Sequence, residues 1–239
     1  MDSRIEKLAG WVRESDNVVF FGGAGVSTES GIPDFRSEDG LYSQKYEYPP
    51  ETILSRSFFV ENPEIFYKFY REKMIFKGAA PNKAHVRLAQ LEKEGKLKAV
   101  ITQNIDGLHQ SAGSGNVLEL HGSVHRNYCM QCRQRYELSY IVSSKGVPRC
   151  KYCGGTVRPD VVLYEEELDA GTMRDAAEYI RGADVLIIGG TSLAVYPAAG
   201  LVGGYGGGRL ALINKSRTHY DGAANLVIDE RIGEVFGQI

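Results

Sequence analysis

Four cysteines lie between residues 129 and 153, and they are the densest chemical signal in the chain. Cys129-Met-Gln-Cys132 and Cys150-Lys-Tyr-Cys153 form two CxxC knuckles separated by 17 residues. Each knuckle can present two thiolates to one tetrahedral ion, and the interval is long enough for a small ribbon that closes the site. Four sulfur ligands leave no open position for water, so a zinc ion held there is structural. Two disulfides and a redox CxxC are the rival readings. The absence of a secretory signal in the charged N-terminus, Met1-Asp-Ser-Arg-Ile-Glu-Lys, favours zinc over both.

A second feature is the glycine turn Gly22-Gly-Ala-Gly25, directly after the apolar run Asn17-Val-Val-Phe-Phe21. Backbone N–H groups in such a turn can face a phosphate, although many turns of this kind are only tight corners. The full dinucleotide fingerprint is missing. No acidic residue follows a second strand at the spacing a dehydrogenase uses for the ribose, because Gly31-Ile-Pro-Asp-Phe-Arg36 fills that interval. Hydride transfer is therefore disfavoured. Of the five histidines, His121 stands in a His-Gly pair just ahead of the cysteine segment, and an imidazole can accept a proton at neutral pH.

These residues need a scaffold, and the apolar runs describe one. Ala99–Thr102, Val185–Ile188, Leu210–Ile213 and Leu226–Ile228 are continuously apolar, as expected for strands buried on both faces of a parallel sheet. Helical spacing of apolar residues covers Ser3–Glu14, Asn82–Glu94 and Asp169–Arg181. Together they predict an α/β fold, a doubly wound, Rossmann-like parallel sheet formed by residues 1–39, 81–122 and 158–239. Residues 40–80, aromatic and helical, with Asn62-Pro63 as cap and first turn of a helix over Glu64–Phe76, form a helical insert. Residues 123–157 form the zinc module, and insert and module make up a smaller lobe. The run Gly203–Gly208 reads as a flexible loop. The chain has 239 residues, 43% hydrophobic, with a formal net charge of -2. That balance offers no electrostatic footprint for nucleic acid, and the longest apolar runs fall far short of the roughly 20 residues of a membrane span. A cytoplasmic monomer is expected.

The glycine turn continues into a longer pattern. Gly23-Ala-Gly-Val-Ser-Thr-Glu-Ser-Gly-Ile-Pro-Asp-Phe-Arg-Ser37 resembles the signature loop of the sirtuin family. Thr102-Gln-Asn-Ile-Asp-Gly-Leu-His109, His121-Gly122 and the paired knuckles come next in the family's order, as do Gly190-Thr-Ser192 and Ile213-Asn214. The resemblance covers nearly the whole chain and looks like the compact prokaryotic type. It implies an NAD-dependent protein-lysine deacylase that converts acyl-lysine and NAD to lysine, nicotinamide and O-acyl-ADP-ribose. Preference for longer aliphatic acyl groups and mono-ADP-ribosyl transfer are the alternatives on the same fold.

By resemblance, His121 is the general base, Asn104 positions the ribose and a water, and Asp106 receives the nicotinamide carboxamide with Ile105 beside it. Gln103 reaches the same ribose. Phe35 shields the reactive face, and Arg36 contacts phosphate or supports the pocket. Gly23, Ala24, Gly25, Ser27 and Thr28 lie along the pyrophosphate path, and Gly190, Thr191, Ser192, Asn214 and Lys215 along the adenosine half. His109, although inside a motif, is expected to be structural.

The acyl-lysine peptide is expected to pair with the backbone of Val162, Leu163, Tyr164 and Glu165 on one side and of Leu193–Tyr196, including Val195, on the other. Here the chain departs from the family pattern. Tyr164-Glu165 replaces a phenylalanine-glycine pair, and Glu165 is expected to favour basic residues beside the acyl-lysine. Members that remove acidic acyl groups carry a Tyr-x-x-Arg pair where this chain has Tyr67-Lys-Phe-Tyr70, with Arg71 one position late. Phe58, Phe59, Phe66 and Phe69 suggest an apolar lining, or equally plain core. Acetyl is the expected acyl group.

Overall fold

The computed structural model describes residues 2–35, 37, 40–44 and 46–239. Helix α1 (Ser3–Glu14) leads into strand β1 (Val18–Gly22). Three helices come next, α2 (Pro50–Ile53), α3 (Arg56–Glu61) and α4 (Pro63–Lys73), then α5 (Lys83–Lys93), β2 (Leu97–Thr102), α6 (Leu108–Ala112) and β3 (Val117–Glu119). The segment with the cysteines contributes β4 (Gly122–Cys129), β5 (Arg135–Glu137), α7 (Leu138–Ser143) and β6 (Val157–Val161). The chain closes with α8 (Ala170–Gly182), β7 (Val185–Gly189), β8 (Leu210–Ile213), β9 (Leu226–Ile228) and α9 (Ile232–Phe236).

Six strands form one parallel sheet in the order β3-β2-β1-β7-β8-β9. The order reverses between β1 and β7, and in doubly wound sheets ligands bind at the carboxyl ends of the strands at such a switch point. Because side chains alternate along a strand, Phe20, Val185, Ile187, Ala211 and Ile213 face one layer, packed under α1, α5 and α9. Phe21, Leu186, Ile188 and Leu212 face the other, under α8 and the 3₁₀ segment Ala198–Gly204. Both faces are covered, as continuous apolar runs require. No helix among the described residues is long and apolar enough to cross a membrane.

The second lobe has its own core. Antiparallel β5-β4-β6 packs with α2, α3, α4 and α7 around Phe58, Phe59, Phe66, Tyr67, Phe69, Tyr70, Ile141 and Val157. These aromatics pack on one another, Phe59 edge-on to Phe66 with centroids 4.8 Å apart and Phe66 stacked on Tyr70 at 5.6 Å. Of the two readings of Phe58, Phe59, Phe66 and Phe69, lining or core, the structure supports core. The division drawn between residues 157 and 158 falls at the first residue of β6, which pairs with β4 and continues the small sheet to Val161.

Local signals worked unevenly. Asn82 caps α5, accepting from Ala84 N–H at 3.0 Å while His85 Nδ1 accepts from Asn82 N–H at 3.3 Å. Pro63 takes the first turn of α4, but the Asn62 side chain makes no capping bond. Gly203 and Gly204 belong to the 3₁₀ segment, and Tyr205 ties the glycine run to the sheet by donating to Asp184 O at 2.9 Å.

Between α5 and α6, His85 and His109 lie fully buried with ring centroids 4.7 Å apart, and His109 also packs against Phe20 at 6.1 Å. Burial lowers His85 to about 4 and His109 to about 3, from an ordinary 6.5. Both rings are neutral in the folded protein, whereas unfolding frees them to protonate. The unfolded state therefore binds more protons below pH 6.5, and stability falls as pH falls from 6.5 toward 4. The slope reaches about 1.4 kcal/mol per pH unit for each histidine. Denaturant midpoints measured across that range are expected to decline more shallowly for His109→Leu than for the native chain; parallel declines would contradict the assignment.

Candidate active site

The switch point opens into a cleft of about 1150 Å³ between the two lobes. Its floor is made by two glycine turns. After β1, Gly25 N–H donates to Gly190 O at 2.8 Å, so the turn following β1 rests on the turn following β7. A Cβ on Gly25 would stand 2.8 Å from Gly190 Cα, and one on Gly190, at φ 59°, only 2.3 Å from Val26 N. Both glycines are required by this contact. Gly23 is needed for the same reason, with a Cβ there 2.8 Å from that of Thr191, and it lies beneath the cleft rather than on its wall. Ala24, Gly25, Ser27 and Thr28 line one side, and Gly190, Thr191 and Ser192 the other.

Thr102-Gln-Asn-Ile-Asp106 leaves the carboxyl end of β2 and enters the middle of the cleft. Asn104 Nδ2 donates to Ser27 Oγ at 3.1 Å, and Ser27 Oγ donates to Asp106 Oδ2 at 2.7 Å. Asp106 Oδ1 accepts from Leu108 N–H at 2.9 Å, and Asn104 N–H donates to Thr102 Oγ1 at 3.0 Å. Three polar side chains from two loops are locked into one network, and each Asp106 oxygen keeps a further lone pair for a ligand. Gln103 lines the cleft, and its buried Nε2 has no partner among the described residues.

His121 enters from the hinge between β3 and β4. Its Nδ1 lies 3.0 Å from Gln103 O. A carbonyl can only accept, so Nδ1 carries the proton and Nε2 keeps the lone pair. Burial lowers the imidazole pKa below 6.5, partly opposed by the bond to Gln103 O, so the ring is neutral at pH 7. His109 makes no contribution to the cleft, as expected of a structural histidine, and His125 Nε2 holds the motif from outside at 2.9 Å from Asp106 O.

At the far end of the cleft, Asn214 does more than line a wall. Its Oδ1 accepts from Thr191 N–H and its Nδ2 donates to Thr191 O, each at 3.0 Å, so it fixes the second glycine turn. Lys215 lines this end together with Arg217, Glu230 and Arg231, which sequence reasoning passed over. The signal was there: these residues follow β8 and β9 at their carboxyl ends. Phe35 closes the near end, and Arg36 lies outside the described residues.

Val162, Leu163, Tyr164 and Val195 line the remaining wall. Tyr164 N–H donates to Leu54 O and Arg56 N–H donates to Tyr164 O, both at 3.0 Å, so these two groups are not open to a peptide. Glu165 also differs from expectation. Its carboxylate accepts from Ser57 N–H and Ser57 Oγ, each at 2.9 Å, and is directed to the start of α3. Sequence reasoning missed the pair Arg158–Glu166, buried at 2.6 Å, whose Glu166 also accepts from Leu163 N–H at 2.9 Å. Burial pushes the Glu166 carboxyl up, but the bonds from Arg158 and Leu163 outweigh it and hold the group below its ordinary value.

Some distance from the cleft, the four cysteine sulfurs all lie within 4.8 Å of one another. Cys129 Sγ is 3.4 Å from Cys153 Sγ, and Cys132 Sγ is 3.6 Å from Cys150 Sγ, far beyond the roughly 2.05 Å of a disulfide. Sulfurs bound to one tetrahedral zinc at about 2.3 Å stand at comparable separations, so the quartet fits a structural zinc. Tyr136 OH donates to Cys150 Sγ at 3.1 Å and supports one ligand from outside.

The Sir2 family profile matches residues 23–197, and the chain belongs to the Sir2 family. It is 59% identical over 235 residues to an NAD-dependent protein deacetylase of Clostridium acetobutylicum, covering 97% of this chain and 96% of that protein. It is 59% identical over 242 residues to one of Clostridium tetani, covering 100% and 98%. Among solved structures, a Sir2–p53 peptide–NAD+ complex superposes with a TM-score of 0.87 at 39% identity, covering 98% of this chain and 96% of that one.

Since the quartet ties β4 to the segment before β6, zinc removal is expected to unfold the small lobe and abolish activity together. Chelation followed by circular dichroism and turnover checks this: parallel loss is expected, and loss of activity with an unchanged melting curve would contradict a structural ion.

Proposed function

We propose that this chain is an NAD-dependent protein-lysine deacetylase in which His121 is the general base. The observation that carries the reading is the tautomer of His121, fixed by Gln103 O so that the ring, kept neutral by burial, offers Nε2 as a base. NAD supplies, when bound, a ribose carbon that becomes electrophilic as nicotinamide departs. Everything else is done by the chain. The two glycine turns let backbone approach the pyrophosphate closely, with Ser27 and Thr28 alongside. Asp106 accepts from the nicotinamide carboxamide, held for that by Ser27 and Leu108 N–H. Asn104 and Gln103 take the ribose hydroxyls, and the partnerless Gln103 Nε2 gains a partner there. Phe35 covers the reacting face against water. Lys215, Ser192 and Asn214 flank the adenosine half.

The peptide lies in the cleft between Leu163 and Val195, whose side chains flank the acyl-lysine chain. The wall near His121 is apolar, formed by Leu41, Leu54, Ile105, Val161 and Leu163. That surface suits an acetyl or other neutral acyl group. The pair that would bind an acidic acyl group is not offered by this helix, because Tyr67 and Tyr70 are core and Arg71 is bound to Ile141 O and Gly146 O. With NAD bound, His121 would take the proton of a ribose hydroxyl so that its oxygen can accept the acyl group, and one water consumed as the acyl–lysine C–N bond breaks balances the products nicotinamide, free lysine and O-acetyl-ADP-ribose.

With acetyl-lysine peptide and NAD, nicotinamide and free lysine should form one for one. His121→Ala should lower kcat by about 10²- to 10⁴-fold with zinc content and melting temperature retained. The acidic limb of kcat/KM should have its midpoint below pH 6.5, since only the neutral ring acts as base. A limb above pH 6.5, or full activity in His121→Ala, would remove the assignment.

A further inference from the structure

Residues 32–35, 37, 41 and 42 rim the cleft, Phe35 among them, while the residues after β6 form the opposite wall. A direct side-chain bond joins these distant parts of the sequence: the hydroxyls of Tyr42 and Tyr164 are 2.7 Å apart. Each partner is held by its own backbone contacts, and the Tyr42 ring packs on the small-lobe core. Tyr42 N–H donates to Phe35 O and Leu41 N–H to Asp34 O, both at 2.8 Å, and the Tyr42 ring meets Phe35 edge-on with centroids 5.5 Å apart. The position of Phe35 is therefore set through Tyr42.

Tyr164 is likewise anchored to the small lobe. Its backbone pairs with Leu54 and Arg56. The next residue, Glu165, holds φ at 72°, a region that side-chain-bearing residues disfavour. Such a conformation persists only where the surroundings over-determine it, and here the two bonds from Ser57 do so. Leu163, on the other side, is bound to Glu166, itself paired with Arg158. Tyr164 thus presents its hydroxyl from a rigid mount to a residue on a cleft-lining loop.

We propose that Tyr164 is a positioning residue for the cofactor loop: its hydroxyl clasps Tyr42 and orders the segment carrying Phe35 before NAD arrives. This rests on the reading that Phe35 covers the cofactor. A ligand that needs the ordered loop binds in proportion to the fraction of molecules already ordered. Losing one neutral hydrogen bond lowers that fraction, which gives an effect of about two- to tenfold.

The test uses the full, zinc-loaded chain as native protein, Tyr164→Phe, Tyr42→Phe, the double variant and Phe35→Ala. Both tyrosine replacements keep the ring and remove one hydroxyl at a partly exposed position, so melting temperatures should match. Each single variant should raise KM for NAD about two- to tenfold, with KM for the peptide within about twofold. The double variant should be no worse than either single one, because both remove the same bond. An unchanged KM for NAD in Tyr164→Phe, an effect confined to the peptide, or multiplied effects in the double variant would overturn the clasp. Phe35→Ala separates the two readings. If it weakens NAD use while Tyr164→Phe does not, the clasp fails alone; if it leaves NAD use unchanged, loop and clasp both fall.

Discussion

Where β1 and β7 end, their turns touch through backbone alone, with Gly25 N–H on Gly190 O at 2.8 Å and no room for a Cβ on either side. Most of the site depends on that approach. Because β1 and β7 are adjacent and parallel yet wound in opposite directions, their carboxyl ends diverge into a crevice. The backbone contact draws the turns together at its base. Asn214 holds the second turn by both amide atoms, and Ser27, just beyond Gly25, receives Asn104 and donates its own proton to Asp106. A side chain at Gly190 would need a left-handed conformation, costing about 1–2 kcal/mol, in addition to displacing Val26. Such a change would part the turns and so dissolve the network above them.

The small lobe supplies what the sheet cannot. A parallel sheet offers backbone and loop ends at its rim, but no opposite wall. That wall comes from β6 and the residues after it, which are bound to α3 through Tyr164 and Glu165 and to the interior through Arg158 and Glu166. A partly buried ion pair of this kind adds little net stability when intact, yet removing one partner leaves the other charge unpaired. Its value is positional. The thiolate quartet plays a similar part at the other end of the small sheet, tying β4 to the segment before β6.

The large sheet was legible because its strands are buried on both faces and show it as unbroken apolar runs. Helices α1, α5 and α8 were legible from helical spacing, and the structure adds Asn82 and Asp169 as the caps of the last two. Strand β3 was not, since it has three half-buried residues at the sheet edge. Nor were β4 to β6 as strands: β4 contains His125, Arg126 and Asn127, and its order comes from cross-strand pairing and the cysteines rather than from alternation. In the cleft, residue types and motif order pointed to His121, Asn104 and Asp106. The partners that orient them are 77 and 79 residues away in sequence for Asn104 and Asp106, so the Ser27 network could not be read from local pattern. Glu165 shows the converse. Its charge suggested a substrate contact, but its left-handed backbone turns the carboxylate to Ser57.

The central claim is that one cleft brings NAD and acyl-lysine together at His121. A crystal structure with an acetyl-lysine peptide and a non-reacting NAD analogue tests it most directly. The account predicts the nicotinamide ribose within hydrogen-bond distance of His121 Nε2 and Gln103 Nε2, the carboxamide on Asp106, and the acetyl group against Ile105 and Leu163. A cofactor seated away from the two glycine turns, or a ribose out of reach of His121, would contradict it.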